Sequence, residues 1–173
     1  MKKLLYIIGL ILLFATNTTA ANTDFFGERV EVVAKGGKLS KLGEKLNVSE
    51  YATSAKNSVL DKMTPDHIPS FAATRKHLET KLGRTLNADE LAKLNNEGTT
   101  ILYETTIHQR YSRTYGGRNS SEQILNDSQN LFEAAKKDME VLRKPLLESG
   151  ASEADINRAF ELIHEMNKQK GLY

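Results

Sequence analysis

Apolar residues recur at alternating three- and four-residue steps through the C-terminal half of the chain. The longest such face covers 124–142, and it follows Ser120 with Gln123 three residues later. Serine and glutamine at this spacing form a capping box, which marks the start of a helix. The pattern therefore predicts one helix that begins after Ser120 and that Pro145 ends or kinks.

A second periodic face follows at 156–166. Ser152 with Asp155 opens this last helix, and Gly171 ends it. The short connection Ser149-Gly150-Ala151 predicts that the two helices form an antiparallel hairpin over 120–171.

Shorter helices are expected upstream. Ser70 is a candidate N-cap for a helix over 71–82, which Gly83 closes. Asn87 has glutamate at the third position after it, so a capping box opens a helix over about 88–96.

Strand signals are fewer. The β-branched and aromatic run at 99–107 predicts a strand that leads directly to His108. Residues 29–32 alternate in polarity and are either an edge strand or part of a flexible lead-in. Further along, Asn47 or Ser49 could cap a helix that runs to about residue 62. The predicted fold class is mainly α with one or two short β-strands (α+β) and a helical hairpin at the C-terminus.

The first 21 residues have the pattern of a cleavable signal peptide. Lys2 and Lys3 precede an apolar run at 4–15, and small residues allow cleavage after Ala20 or Ala21. The expected organisation is a signal peptide at 1–21, a lead-in at 22–62 and one domain at 63–173, with its main motifs at 63–142. We expect a secreted or periplasmic protein without stable membrane association after cleavage.

Composition narrows the chemistry. The chain has 24 Lys+Arg against 22 Asp+Glu, a net charge of +2, and no cysteine. Removing Lys2 and Lys3 leaves equal numbers of both signs, so contact with nucleic acid would need a local basic patch. The lack of cysteine excludes thiol catalysis and cysteine-based zinc sites.

Asp66-His67 is the first candidate site. A carboxylate can hold a divalent cation, and an imidazole can accept a proton from water near neutral pH. Adjacent side chains in extended chain point apart, so one could face a metal and the other a nucleophile. Alternatively, Asp66 orients His67, or the pair is an ordinary polar turn before Pro69.

His108 and the segment after it form the second candidate site. Arg110, Arg113 and Arg118 lie close together, and no acidic residue occurs between Thr105 and Ser121. Arginine binds phosphate oxygens bidentately, a Gly-Gly pair permits a sharp turn or close approach to a ligand, and the helix after Ser120 would add N-terminal amides. These features predict a phosphodiester-binding loop, although solvated arginines beside a routine turn remain the alternative.

The order of these blocks, Asp-His-Ile-Pro-Ser and then a strand, His and Ser-Arg-Thr-Tyr-Gly-Gly-Arg-Asn, resembles C-terminal domains of bacterial polymorphic toxins that look like HNH/endonuclease VII-type (ββα-metal) nucleases. The resemblance covers about 63–142. It implies metal-assisted phosphodiester hydrolysis of nucleic acid, with DNA favoured over RNA, and an immunity or inhibitor protein as a further partner. The implied cofactor is a divalent ion, Mg²⁺ first and Mn²⁺ or Zn²⁺ as alternatives.

The resemblance also implies residue roles. Asp66 and His108 would ligate the metal, His67 would be the general base, and Asn119 would orient the base or substrate. His108 could instead be the base, because His67 directly precedes a helix rather than lying on the usual hairpin. Substrate would be bound by residues of the loop, namely Arg110, Ser112, Arg113, Tyr115, Gly116, Gly117 and Arg118.

Two other functions are compatible with the sequence. The first is a non-catalytic secreted helical module, either partner-binding or a decayed toxin domain. The second is acyl or peptidoglycan hydrolysis through Ser70 or Ser112, which is disfavoured because no Gly-x-Ser-x-Gly elbow is present.

Overall fold

The computed structural model describes residues 44–57 and 62–173. The predicted signal peptide at 1–21 and the alternating segment at 29–32 lie outside these residues. None of the helices in the described ranges is long and apolar enough to cross a membrane.

A small antiparallel sheet forms the centre of the described chain. Its strands are β1 (Val48–Glu50), β2 (Met63–His67) and β3 (Thr99–Glu104), in the spatial order β1-β3-β2. The central strand β3 is buried over its first five residues. Pro65 lies in β2, and an edge strand tolerates proline because one side of its backbone needs no donor.

Seven α-helices surround this sheet in the described ranges. A 3₁₀ turn at Gly116–Arg118 separates the fourth from the fifth. The helices are α1 (Tyr51–Asn57), α2 (Phe71–Leu82), α3 (Ala88–Glu97), α4 (Thr105–Tyr111), α5 (Ser121–Gln129), α6 (Leu131–Glu148) and α7 (Glu153–Gln169). The predicted fold class is therefore confirmed, with one strand more than the upper expectation.

The capping predictions for α2 and α3 are also confirmed. The Ser70 hydroxyl accepts a hydrogen bond from the Ala73 amide at 3.2 Å. Asn87 and Glu90 bond reciprocally as a capping box, and Gly83 ends α2 at a φ of 66°. Local side-chain chemistry thus determines these helix boundaries.

The strand before His108 is shorter than predicted. Glu104 pairs with Met63, the first residue of β2, so no partner strand extends beyond it. The chain turns into α4 at Thr105, whose amide donates to the Lys62 carbonyl at 2.8 Å. His108 therefore lies on a helix and not at the end of a strand.

The long helix predicted after Ser120 is two helices. Asn130 breaks it with an extended backbone (φ −147°, ψ 90°), and its side chain caps α6 by accepting from the Glu133 amide at 3.1 Å. Pro145 does not end α6, which continues to Glu148 with the proline ring buried. The start predicted for the helix after Asn47 or Ser49 is also wrong. Residues 48–50 form strand β1, which pairs with β3, and α1 begins only at Tyr51.

Two apolar clusters hold the elements together. The larger lies between β3 and the hairpin of α6 and α7, and the smaller joins α2 and α3 to the chain's last residues. The larger contains Ile101, Tyr103, Met139, Leu142, Ile156 and Ile163, all nearly inaccessible to solvent. This packing fixes β3 in place, and the pairing of β2 with β3 then positions both strands, which carry residues of the candidate site.

Candidate active site

Asp66, Tyr103 and His108 meet at one point. Asp66 is on β2 opposite Ile101, and Tyr103 is two residues further along β3, so both side chains lie on the same face of the sheet. The Tyr103 hydroxyl is 2.5 Å from Asp66 Oδ2. His108, one turn into α4, places Nδ1 3.2 Å from the same carboxylate oxygen and 3.3 Å from the Tyr103 hydroxyl.

Hydrogen-bond distances connect all three side chains of this cluster. Burial, followed by the nearby Asp66 charge, raises the pKa of Tyr103 well above its ordinary value, so its hydroxyl stays protonated and donates a hydrogen bond to Asp66. The Tyr103 oxygen and the Asp66 carboxylate can then both accept from His108 Nδ1–H. In this tautomer, Nε2 is the acceptor nitrogen of the His108 ring.

His108 borders an open cleft of about 320 Å³. The Tyr115 ring meets the His108 ring edge-on, with centroids 5.0 Å apart. The cleft is lined by Pro65, Asp66, His67, Ser70, Phe71, Ala72, His108, Thr114, Tyr115, Gly116 and Asn119. The two sequence blocks singled out as candidate sites, 66–70 and 108–119, therefore do border one cavity.

Asn119 contributes a polar group to this cleft. Its Oδ1 is buried and has no hydrogen-bond partner among the described residues. Asn119 also lines the cleft beside His108, so its side chain belongs to the wall of the cavity.

His67 lies on the other face of β2. Its ring stacks on Tyr51 with centroids 4.9 Å apart, and its Nε2 is 3.1 Å from the Asn95 carbonyl, to which it donates. Burial is the main cause that lowers the pKa of His67, so the ring is neutral at pH 7. His67 borders the cleft, but the structure does not bring its imidazole into the Asp66–Tyr103–His108 cluster.

Arg113 is engaged with acidic residues that are distant in sequence. Its guanidinium makes bonds of 2.8 and 3.0 Å to Asp127, and Nη1 lies 3.3 Å from Asp138 Oδ1. One arginine of the predicted acid-free cluster is thus paired with an acid from α5 and lies beside a second acid on α6. The Arg113 guanidinium is occupied by this pairing rather than free in the cleft.

The remaining residues predicted to bind substrate differ in their contacts and exposure. Arg118 donates to the Ser112 and Gln109 carbonyls at 2.8 and 2.7 Å, which ties the loop to α4. Arg110 is exposed, with its guanidinium 5.4 Å from the Tyr111 ring centre. Gly116 adopts a φ of 57°, and a Cβ added at either Gly116 or Gly117 would meet no atom within 4 Å.

The predicted metal ligands do not fit a shared ion as they stand. Asp66 and His108 face each other across a hydrogen bond through Nδ1, so only Nε2 on the far edge of the ring is free to ligate. A carboxylate that bonds the second nitrogen of a histidine orients that ring from outside the metal's ligand set. Within 44–57 and 62–173, no group of three or more His, Asp or Glu residues could hold a metal ion.

The chain is similar to part of a deoxyribonuclease. It is 31% identical over 155 residues, 89% of its length, to Deoxyribonuclease CdiA of Dickeya dadantii (strain 3937). The matched region is 5% of that protein, so the chain spans about a twentieth of the relative's length. No protein-family model matches the chain, and no solved structure matches it.

Tyr103 is the site residue that sequence reasoning missed. It lies in an apolar strand, where a tyrosine is most simply interpreted as core, and its ring is fully buried. The available signal was its hydroxyl, which needs a partner when buried. Ser70 and Ser112, in contrast, were candidate nucleophiles in the sequence and have structural contacts instead. Ser70 caps α2, and Ser112 Oγ lies 3.2 Å from Thr114 Oγ1. Neither serine is paired with a histidine among the described residues.

Proposed function

We propose that this chain is a nuclease domain that hydrolyses phosphodiester bonds of DNA, with His108 as the general base. The observation that carries the proposal is the Asp66–Tyr103–His108 cluster at the edge of an open cleft. The similarity to a deoxyribonuclease supports DNA as the substrate.

The chemistry follows from the hydrogen bonds. His108 Nε2 takes a proton from a water molecule, whose oxygen attacks phosphorus while the bond from phosphorus to the leaving oxygen breaks. The leaving oxygen takes a proton from solvent, and His108 returns its proton to solvent, which restores the base. Asp66 stabilises the positive charge that develops on His108, and Tyr103 holds the carboxylate in place.

Polar groups around the cleft would receive the phosphate. Asn119, which lines the cleft, could donate from its Nδ2 to a non-bridging oxygen. Arg110, on α4, has a guanidinium that is not bonded to a described carboxylate or carbonyl, and it could contact a phosphate further along the strand.

We also propose a divalent metal ion as cofactor, with Mg²⁺ as the first candidate. Of the predicted pair, His108 offers one free nitrogen and Asp66 is committed to the histidine and the tyrosine. An ion held by both residues would require this hydrogen bond to open, so no step of the chemistry above depends on the ion.

Export and inhibition are proposals of the same kind. The leader at 1–21 would direct the chain out of the cytoplasm, and a nuclease that acts in other cells would need an inhibitor protein in its own. Co-expression with candidate neighbouring reading frames would identify such an inhibitor through relief of growth arrest.

The test is cleavage of plasmid DNA and of RNA by the purified chain, with Mg²⁺, Mn²⁺, Zn²⁺ or EDTA. We expect DNA cleavage that His108→Ala and Asp66→Asn reduce by at least about 100-fold, the usual size of a lost general base. His164→Ala is the matched control, because His164 contacts Tyr173 and Phe132 away from the cleft. No cleavage under any condition, or equal loss in all three variants, would favour the non-catalytic module instead.

A further inference from the structure

A second groove continues the cleft. It has a volume of about 420 Å³ and lies between α2 and α5. Phe71, Ala72, Arg75, Lys76, Glu79 and Ile124 line it. Phe71 and Ala72 also line the cleft beside His108, so the two cavities share a wall and adjoin each other.

The lining of this groove is mainly hydrocarbon. Phe71 presents a half-buried aromatic ring at the start of α2, and Ile124 faces it from α5. The stems of Arg75 and Lys76 extend this apolar surface while their charged ends remain exposed. A flat group with an apolar face would bury well here, and a nucleobase is such a group.

The charge at the rim of the groove favours an anion. Arg75 donates to Glu79 at 2.9 Å, and this hydrogen bond is the main cause that lowers the pKa of Glu79. The Glu79 carboxylate also accepts from the Leu86 amide, so it is bonded on the α2 side. Lys76 makes no ion pair with a described residue and leaves one net positive charge at the rim.

We propose that this groove binds the base of an unstacked nucleotide next to the scissile phosphate, and that the substrate is therefore single-stranded or locally unpaired DNA. The inference rests on the proposed function, because it places the reacting phosphate beside His108. Phe71 would stack on the base, and Lys76 would contact the next phosphate. A base inside a duplex is stacked on both sides and cannot enter the groove unless it leaves the helix.

Binding is measured with the full chain carrying His108→Ala, so that the DNA stays intact. Fluorescence anisotropy compares one labelled oligonucleotide as a single strand and as a duplex. We expect the single strand to bind about tenfold more tightly, in line with the contribution of one stacked base. Ile124→Ser should weaken single-strand binding several-fold and leave duplex binding unchanged.

Leu125→Ser is the matched control, because Leu125 is the next residue of α5, is 49% exposed and does not line the groove. Phe71→Leu and Phe71→Tyr form a second pair, since only tyrosine keeps the aromatic face. Equal binding of both DNA forms, or equal effects of Ile124→Ser and Leu125→Ser, would overturn the groove proposal.

Cleavage assays on the same two DNA forms separate this inference from the proposed function. If the wild-type chain cleaves duplex as well as single strands and Ile124→Ser changes neither rate, the groove proposal fails while the nuclease stands. If no DNA is cleaved but single-strand binding depends on Ile124, the nuclease proposal fails while the groove stands.

Discussion

A buried carboxyl on α6 provides the sharpest test of the structure. Asp138 is 5% exposed, and neither of its side-chain oxygens has a hydrogen-bond partner among the described residues. Arg113 Nη1 is within ion-pair distance at 3.3 Å, but that guanidinium makes its hydrogen bonds to Asp127. Burial is the main cause that raises the pKa of Asp138 from 3.8 to about 8, because Arg113 offsets only part of the cost of burying the charge.

The sign of the pH dependence follows from this pKa. The folded pKa lies above the unfolded value, so the folded state binds the additional proton between about pH 4 and about pH 8. Asp138 therefore contributes stability below about pH 4 that is lost as the pH rises through about 8. At about 1.4 kcal/mol for each pKa unit, the upper limit of this loss is about 6 kcal/mol. Local relaxation around the buried carboxyl reduces this loss, and we expect about 2 kcal/mol.

Asp138→Asn removes the titration and keeps the side-chain shape. We expect the variant to match the wild type within about 1 kcal/mol at pH 5 and to be about 2 kcal/mol more stable at pH 8.5, which corresponds to about 4–8 °C in Tm for a domain of this size. Urea and thermal unfolding at both pH values measure this difference. Asp89→Asn, an exposed carboxyl at the start of α3, is the control and should show no such pH dependence. If Asp138→Asn is less stable than the wild type at pH 8.5, then Asp138 is ionised and paired with Arg113, and the reasoning is refuted.

Three further changes test other contacts. Tyr103→Phe removes the hydrogen-bond donor to the buried Asp66 carboxylate, so urea unfolding should show a free energy of unfolding that is lower by about 1.5–3 kcal/mol. The rate of DNA cleavage should also fall. An unchanged rate would show that Tyr103 is not part of the site. Arg113→Ala leaves the buried Asp127 carboxylate without its cation and should cost about 3–5 kcal/mol, measured by urea unfolding. Gly98→Ala puts a Cβ 2.5 Å from the ring of His67, and that ring is packed and cannot move freely. We therefore expect a lower Tm, equivalent to a loss of about 1–3 kcal/mol in stability. An unchanged Tm would contradict this packing.

Helix boundaries were accessible from the sequence because their causes are local. The cap at Ser70 and the capping box at Asn87 involve atoms three residues apart, and the structure shows both as predicted. The break at Asn130 was missed although asparagine is a good cap, because the apolar periodicity runs through it without interruption. Periodicity reports which face is buried, and two successive helices can share one such face.

The arginine loop shows where local sequence patterns mislead. No acid lies within the loop, so the sequence suggested free cations for phosphate. The acid that pairs with Arg113 is Asp127 on α5, 14 residues further along the chain. Asp138 on α6, 25 residues further along, lies 3.3 Å from the same guanidinium. Only the packing of α4 against α6 shows that a basic residue in a short loop is part of a buried ion-pair network.

The fold class, most helix starts and the two blocks of residues that border the cleft all follow from the sequence alone. The positions of His67 and His108 relative to Asp66 do not, because they depend on the face of β2 that His67 takes and on the turn into α4 that carries His108. The pairing of β2 with β3 places Asp66 beside Tyr103 across 37 residues, and α4 returns His108 to the same carboxylate. Hydrogen bonds between residues so far apart form only in the folded chain, so the composition of the site depends on tertiary packing.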